Sequence, residues 1–515
     1  MKDMKKTIYR LLGSAAALFM VFSCNMDLIP TSDIVYDENE PAIQKASDLT
    51  SFEQGIHVYF RSIHQSTYYY VSDVMTDGFN ATIDFGNNFG PLHRTDADFT
   101  ASDQDVEDVW GGYYTAISKF NQALAAANSI TDPELKENAQ VFKGYAFFYR
   151  AYSYLYLART FGKAYDAATA STDLSVPLVL VYDQNARPAR DTQENVYKQI
   201  KSDLDSAAVL LAGEVGAVRA SKPTIDAVTA LYARYYLDVK DYGNAASCAQ
   251  SLIASGKYEL SDTPAEFTAE FLNDTGTEPI LQMVASLNEA PNSLYNYTRL
   301  TTANKQNVYS PYFLPSGKLI DSYSASDLRL SGWFKASGSA SYPIYSNGSA
   351  YSDPGVLVFT KFEGNPTYTS APLPQGQNAI KPFRISEMYL IAAEALFQSG
   401  STSDANKVLN DLQTARGAEL TTQPSIEAIQ KEWFIETVGE GQRVWCLKRW
   451  GAGFTARYGQ PAAIANNLIY TGTYYTDRAF EKGDYHLTLP IPTYEMKINT
   501  NLKQNQGYDL LSESE

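Results

Sequence analysis

Apolar side chains recur at three- and four-residue steps over much of the chain, and this spacing predicts a protein built mainly of α-helices. One face of residues 105–128 is apolar, and the same period runs through residues 135–161 until Gly162 ends it. A further helix is predicted over residues 195–211. Residues 46–260 should therefore be largely helical.

Two distant segments each predict a pair of helices joined by a short turn. Ala233 stands twelve residues before Ala245 in the first segment, and Ala393 stands twelve residues before Ala405 in the second. Small residues at this offset let two antiparallel helices approach closely, which is typical of tetratricopeptide repeats. Because one pair cannot bury its own apolar face, we expect about four irregular pairs stacked into one right-handed scaffold.

Between these two segments the composition changes. Residues 261–380 are rich in Ser, Gly, Pro, Asn, Thr and Tyr, and their short apolar stretches predict loops with a few short strands. Two shorter loop-like stretches cover residues 77–105 and 454–485. Function commonly resides on loops that a rigid scaffold carries, so these stretches are the first place to look for a site.

The first twenty-four residues have the form of a bacterial lipoprotein signal. Basic residues are followed by an apolar run over residues 11–22, too short to cross a bilayer as a helix, and then by Ser23 and Cys24. Cleavage before Cys24 would leave a thiol and an amine that can both carry acyl chains, and two chains give a stable anchor. An ordinary secretory signal with an incidental cysteine is the alternative.

These patterns together predict one mainly α domain behind a signal. Its predicted plan is a signal peptide at 1–23 and a single domain at 24–515, with the tetratricopeptide-like scaffold at 46–260 and 381–450, the loop-rich insertion at 261–380, and a loop and C-terminal strap at 451–515.

Composition excludes some functions and leaves others open. The formal net charge of −17 argues against nucleic acid or anionic lipid as a partner. Cys248 and Cys446 are the only cysteines after Cys24, and they have no metal-like spacing, although the two could pair. Tyrosine is abundant, with 38 residues, and it suits surfaces that hold polar ligands, although most of these rings should pack between helices.

No spacing typical of a catalytic, metal or cofactor site stands out. The sequence has no nucleophile elbow, phosphate loop or zinc signature, and its four histidines show no ligand spacing. We therefore predict a protein that is not an enzyme and needs no metal or cofactor. A glycoside hydrolase remains an alternative, because 58 acidic residues always allow two carboxylates at the required distance.

Several motifs together resemble one family, the RagB/SusD surface lipoproteins of the Bacteroides group. The resemblance covers nearly the whole chain and includes the lipoprotein start. The matching motifs are YRAYSYL at 149–155 followed by Phe161-Gly162, VPL at 176–178, RISEMYLIAAEA at 384–395, EGQR at 440–443, KRWG at 448–451, LPIP at 489–492 and QNQGY at 504–508.

The resemblance implies a nutrient-binding protein that sits as a lid on a SusC-like, TonB-dependent barrel transporter in the outer membrane. Family members bind glycans or, in the RagB-like branch, oligopeptides. Residues 73–78 and the acidic run over residues 96–108 look closer to the RagB-like branch. An acidic loop would attract cationic peptides, but the same side chains also favour a helix N-terminus. A scaffold that supports the transporter without binding any ligand is a further alternative.

A set of charged residues in the C-terminal motifs predicts a partly buried network that joins helices, with Trp450 free to stack on a guanidinium. Its members are Glu394, Arg416, Glu436, Glu440, Arg443 and Arg449.

An extended polymer requires a shallow and open binding surface. Candidate ligand-binding residues are those in the predicted loops that offer flat faces or hydrogen-bonding groups. They are Asp77, Asn80, Asp84, Phe85, Asn87, Asn88, Phe89, His93 and Arg94 in the first loop, and Tyr295, Tyr297, Arg299, Tyr309, Tyr312 and Trp333 in the second. Alanine at Trp333 or Tyr297 should then weaken capture and leave the melting temperature nearly unchanged.

Overall fold

A computed structural model describes residues 41–508, apart from residues 65, 292, 339, 340 and 463. Within that range helices dominate the regular structure and the strands are short, so the predicted mainly α fold is confirmed. Cys24 and the predicted signal at 1–23 lie outside the described residues, and the lipid anchor stays a prediction. Of the helices described, not one is long and apolar enough to cross a membrane.

The described helices are numbered in chain order. They are α1 Ala46–Ser62, α2 Ser66–Val74, α3 Gly90–Arg94, α4 Gln104–Asn128, α5 Pro133–Phe161, α6 Gln193–Leu210, α7 Ile225–Asp238, α8 Tyr242–Ala254, α9 Pro264–Phe271, α10 Gly317–Ile320, α11 Leu328–Trp333, α12 Ile385–Gln398, α13 Thr402–Ala415, α14 Ile426–Glu436, α15 Arg443–Trp450, α16 Ala465–Leu468 and α17 Thr493–Ile498.

The described strands are two to four residues long. They are β1 Phe79–Ala81, β2 Pro279–Leu281, β3 Leu300–Ala303, β4 Gln306–Tyr309, β5 Phe313–Pro315, β6 Phe334–Ala336, β7 Ile344–Ser346, β8 Ser349–Tyr351, β9 Leu357–Phe359 and β10 Phe383–Arg384.

The long helices begin and end where their sequence signals place them. The Asp132 side chain accepts a hydrogen bond from the Leu135 N–H, and Pro133 occupies the first turn of α5, where no N–H is needed. Gly162 ends α5 by adopting an extended backbone conformation, and a Cβ there would lie only 2.8 Å from the Ala158 carbonyl oxygen. The predicted helices over 105–128, 135–161 and 195–211 are therefore confirmed to within two residues at each end.

Helices that follow one another pack side by side, namely α4 on α5, α5 on α6, α7 on α8 and α12 on α13. Ala233 and Ala245 are fully buried in the first predicted pair, and Ala393 and Ala405 are fully buried in the second. The small side chains thus mark the predicted close contacts. In addition, α8 packs on α12, so the two distant pairs form one continuous stack.

The insertion contains eight of the ten described strands, arranged in small sheets. The predicted apolar stretches near residues 280 and 357 are the strands β2 and β9. The expectation of loop with strands was wrong at α9, where Thr263 and Glu266 form a capping box that begins a helix. It was also wrong at α11, which Asp327 caps.

The C-terminal strap runs over the helices and is held by hydrogen bonds from both backbone and side chains. The Leu489 N–H donates to the Thr160 carbonyl, and the Asn505 side chain donates to the Phe161 carbonyl. The strap is not extended throughout, because α17 forms one short helix within it.

Candidate functional site

A buried charge network holds the insertion to the C-terminal helices. Glu436 accepts hydrogen bonds from Arg329, Arg384 and Arg416 at 2.8–3.2 Å, and all four side chains are at most 2% exposed. Burial alone would raise the pKa of Glu436, but the three guanidinium groups hold it well below its usual value. This network is fully paired within the protein, so it has a structural role.

Glu440 joins the same network through Arg384, whereas the other three charged residues of the predicted network lie in two separate groups. Arg449 donates to both oxygens of Glu394 at 2.8 Å, and the Trp450 Nε1–H donates to the same carboxylate at 3.0 Å. The Trp450 ring also lies 5.5 Å from the Arg449 guanidinium, as predicted. Arg443 instead pairs with Asp77. The single network predicted from sequence is therefore wrong in its connectivity.

Asp77 was predicted to face a ligand, but it is fully buried. Arg443 donates to its two carboxylate oxygens at 2.9 and 2.8 Å, and Lys318 lies 2.7 Å from it. Although burial favours the neutral acid, these two cations lower the pKa of Asp77 to about 2. Its charge is thus taken up by the protein itself.

His93 and Asn80 are also buried rather than exposed. The His93 Nδ1–H donates to the Val74 carbonyl at 2.7 Å, and Nε2 accepts from the Ala81 N–H at 3.4 Å. The ring therefore joins the end of α2 to β1. Burial, with Arg457 nearby, lowers the pKa of His93 well below its usual value, so the imidazole is neutral. Asn80 donates to the Tyr458 carbonyl.

Four of the predicted aromatic residues belong to the core. Phe85 is 4% exposed, while Tyr297, Tyr309 and Trp333 are completely buried. Trp333 packs edge-on against Phe271 at a centroid distance of 5.4 Å. The open-surface location expected for these four rings, and for Asp77, Asn80 and His93, is therefore wrong, because short strands and helices within these segments bury them.

The remaining candidates are at least partly exposed, and the structure brings them together. Pairing of β1 with β5 joins the first loop to the insertion, and the Thr82 N–H donates to the Tyr312 carbonyl at 2.9 Å. The third loop closes on the same place, where the Tyr470 N–H donates to the Ala81 carbonyl. We call this surface the loop junction. It consists of Asp84, Asn87, Asn88, Phe89, Arg94, Tyr295, Arg299, Tyr312 and Tyr470.

Contacts within the loop junction fix its aromatic rings. Tyr70 lies beneath, with Phe89 at a centroid distance of 5.1 Å and its hydroxyl accepting from the Asn296 N–H at 3.0 Å. Next to these, the Arg299 guanidinium lies 4.7 Å from the Tyr312 ring. Rings supported in this way present a face to solvent without losing their position.

Sequence reasoning missed Tyr470, which is 39% exposed and is the most exposed aromatic residue of the loop junction. Its ring stacks on Tyr475 at 4.9 Å and meets Phe85 edge-on at 5.5 Å. The signal was present, since Tyr470, Tyr474 and Tyr475 follow one another in a loop rich in Gly and Thr.

Backbone conformation at the loop junction is also unusual. Asn87 and Phe89 have φ of 60° and 51°, and Arg299 has φ of 42°. Side chains other than glycine avoid this left-handed region, and such residues concentrate at functional sites. The Arg94 Nη1–H donates to Asn87 Oδ1 at 2.8 Å and holds the strained turn in place.

The acidic run has structural partners. Asp96 and Asp98 pair with Arg94 at 2.6 and 3.1 Å, and Asp103 caps α4 by accepting from the Asp105 N–H. Among residues 41–508, apart from the gaps noted above, no three His, Cys, Asp or Glu side chains lie close enough together to hold a metal ion. Cys248 and Cys446 are free thiols.

Two family models match the chain over adjoining segments. Residues 240–508, more than half of the chain, match the model described as SusD family. The chain belongs to the SusD family. Residues 31–237 match the model described as "Starch-binding associating with outer membrane", which confirms the predicted outer-membrane localisation.

Individual relatives agree with this family assignment. The chain is 26% identical over 441 residues to SusD-like protein P2 of Formosa agariphila, covering 80% of this chain and 82% of that protein. It is 30% identical over 129 residues to the starch-binding protein SusD of Bacteroides thetaiotaomicron, covering 24% and 21% of the two chains. A solved SusD superfamily structure from the same species has a TM-score of 0.71 at 23% identity, covering 89% of this chain and 99% of that one.

Proposed function

We propose that the loop junction captures neutral oligosaccharides at the cell surface and delivers them to a SusC-like, TonB-dependent barrel transporter. Family membership and the starch-binding description of the model matched by residues 31–237 support this proposal. The relative named starch-binding protein SusD also supports a carbohydrate ligand. The protein acts as the transporter's lid and is held at the membrane by lipid on Cys24.

One observation carries the proposal. Three loops distant in sequence meet in this surface, which carries the exposed ring of Tyr470, the half-exposed ring of Phe89 and the exposed amides of Asn87 and Asn88. A sugar ring presents C–H groups to an aromatic face and hydroxyl groups to amides, so this combination suits a polysaccharide chain. The surface is open, as an extended polymer requires.

Oligopeptide capture, as in the RagB-like branch, is the competing ligand class. Half of the acidic run that suggested it is engaged within the protein, since Arg94 pairs with Asp96 and Asp98 while Asp103 caps α4. A cationic peptide would have to displace these contacts. The exposed amides and rings of the loop junction favour the uncharged ligand.

The proposed protein binds without cleaving. Asp77 and Glu436 are ion-paired and buried, and Asp84, the carboxylate of the loop junction, accepts a hydrogen bond from the Asn347 N–H at 2.8 Å. Incubation with soluble starch, xylan, mannan and a tryptic peptide digest should release no product. Release of reducing sugar would contradict the proposal and favour a surface glycoside hydrolase.

The binding test uses affinity electrophoresis with the same polysaccharides. Tyr470→Ala removes the most exposed face of the loop junction and should weaken binding about tenfold, equivalent to about 1.4 kcal/mol. Tyr494→Ala is the matched control, because this ring is 56% exposed on α17, outside the loop junction. Equal affinity for both variants, or binding of the peptide digest alone, would contradict the proposal. Co-purification from outer membranes tests the barrel partner.

A further inference from the structure

A cleft lies between the helical scaffold and the insertion, separate from the loop junction. Adjacent residues of α2 show the separation: Tyr70 supports Phe89 and Tyr297, whereas Tyr69 lines the cleft. Its walls are further formed by Tyr152 of α5 and Trp445 of α15. The cleft is neither part of the proposed polysaccharide surface nor needed by it.

The cleft is large enough for a small molecule. About 60 Å³ is open to the centres of water molecules, which is room for roughly four to six waters. Waters in that number occupy roughly 120–180 Å³ of liquid, close to the volume of one sugar ring. Tyr69, Lys381 and Glu440 are the half-buried lining residues, and they mark the mouth of the cleft.

The walls combine flat rings with polar tips. Tyr113 and Tyr156 stack at 4.2 Å, and Trp445 meets Tyr156 edge-on at 4.8 Å. These three residues form an aromatic wall of the cleft. A ring of C–H groups packs well against such a wall, whereas a chain of charged groups does not.

Each basic side chain that lines the cleft already has an acidic partner. Arg234 pairs with Glu387 at 2.5 Å, Lys381 pairs with Asp274 at 2.5 Å, and Arg384 pairs with Glu278 at 2.8 Å. Glu440, the lining carboxylate, pairs with Arg384 and Lys361. The cleft therefore carries no unpaired charge for an ionic ligand, and it suits an uncharged one.

Polar groups for such a ligand are in place. The Tyr152 hydroxyl lies 3.0 Å from His64 Nε2, and the His64 Nδ1–H donates to the Phe60 carbonyl. Tyr152 therefore donates to His64, while Arg234 donates to the Tyr152 oxygen. Asn378 Oδ1 is buried with no hydrogen-bond partner among residues that the structure describes. Gln442 adds an amide to the same lining.

We infer that this cleft is a second binding site, which takes one neutral sugar unit, the size of a hexose. Aromatic walls, the Asn378 amide oxygen without a donor, and the absence of an unpaired charge in the lining all point to a polyhydroxylated, uncharged ligand. It would bind independently of the polymer held at the loop junction.

The test titrates the folded protein with D-glucose, D-galactose and D-mannose by calorimetry, with sodium gluconate as the charged probe. At least one hexose should bind, and gluconate should bind at least about tenfold more weakly. Gln442→Leu removes polar contacts without adding a charge and should lower hexose affinity about tenfold. Ala379→Leu, which fills the cleft, should abolish binding.

The control variant is Tyr470→Ala, which should bind the hexose like the parent protein and lose only polysaccharide. Melting temperatures of all variants check that they fold. The inference is overturned if none of the three hexoses binds the parent protein, if gluconate binds as tightly as the hexose, or if folded Gln442→Leu retains full hexose affinity. Loss of polysaccharide binding in Tyr470→Ala tests only the loop junction. Failure of one proposal can therefore be told apart from failure of the other.

Discussion

The helical scaffold and the loop junction use the same residue types for opposite purposes. Tyr149 of α5 is completely buried and stacks on Phe60 at 4.0 Å, whereas Tyr470 is 39% exposed and its ring faces solvent. Arg416 is buried among carboxylates, whereas Arg299 lies half-buried over Tyr312. The difference shows that the position in the fold, rather than residue type, decides whether an aromatic ring or a cation packs in the core or faces solvent.

The two regions also differ in how their backbone is held. Helices of the scaffold have capped ends, such as α5 with Asp132, and follow ordinary dihedral angles. The loop junction contains Asn87, Phe89 and Arg299 in the left-handed region. Such conformations cost about 1–3 kcal/mol each. The stability of the packed scaffold must therefore offset the strain in the loop junction.

The largest effect should come from the charge network. Glu436→Gln leaves three guanidinium groups without their shared anion and should lower the free energy of unfolding by about 5 kcal/mol. Urea unfolding followed by circular dichroism measures it. Glu419→Gln is the control, since that residue is exposed, and it should change stability by less than about 0.5 kcal/mol. Similar values for both variants would refute a structural role for the network.

A substitution at Trp333 tests whether this ring stabilises the core or belongs to an exposed binding surface. Because the ring is completely buried and packs on Phe271, Trp333→Ala should lower the free energy of unfolding by about 4 kcal/mol. The sequence alone predicted an unchanged melting temperature for this variant. Tyr474→Ala, at a ring that is 45% exposed, is the comparison and should cost under about 1 kcal/mol. A melting temperature that Trp333→Ala leaves unchanged would restore the original expectation.

Asp77 gives a smaller, pH-dependent effect. Its pKa is about 2 in the folded protein, below its usual value of 3.8, so its charged form stabilises the fold above pH 4. Asp77→Asn should cost about 2 kcal/mol at pH 7, and the difference from the parent should disappear as pH falls from 4 to 2. Asp98→Asn, at a side chain that is 74% exposed, should show no such trend. A difference that stays constant down to pH 2 would contradict the ion pair.

The smallest effect on stability should come from the loop junction. Asn88 is exposed, so Asn88→Ala should change the free energy of unfolding by less than about 1 kcal/mol. Its polysaccharide affinity should still fall several-fold, because a hydrogen bond of about 1 kcal/mol is lost. Affinity electrophoresis beside thermal melting measures both quantities. Unchanged affinity would remove Asn88 from the site.

The scaffold could be predicted from sequence because long helices repeat their apolar period many times. The positions of Ala233 and Ala393 in the sequence predicted the two helix pairs, and Gly162 predicted the end of α5. The charge network was only partly predictable. Arg329 and Arg384 come from the insertion and its border, more than fifty residues from Glu436, and no local pattern joins them.

The candidate site was harder to predict because its strands are so short. Strands of three or four residues, such as β4 and β5, show too few positions for alternation to separate inward from outward side chains. Tyr309 and Tyr312 illustrate this, since the first is buried and the second half-exposed. The sequence therefore predicted the loops but could not tell which of their rings face inward.

The direct packing of α8 on α12 has a consequence for how this architecture can diversify. The intervening segment, residues 255–384, leaves and re-enters the stack at neighbouring points. Lengthening such a closed excursion costs only about 0.6 kcal/mol for each doubling of its length. Evolution or an engineer can therefore lengthen this excursion at little cost, provided that Arg329 and Arg384 stay in place to pair with Glu436.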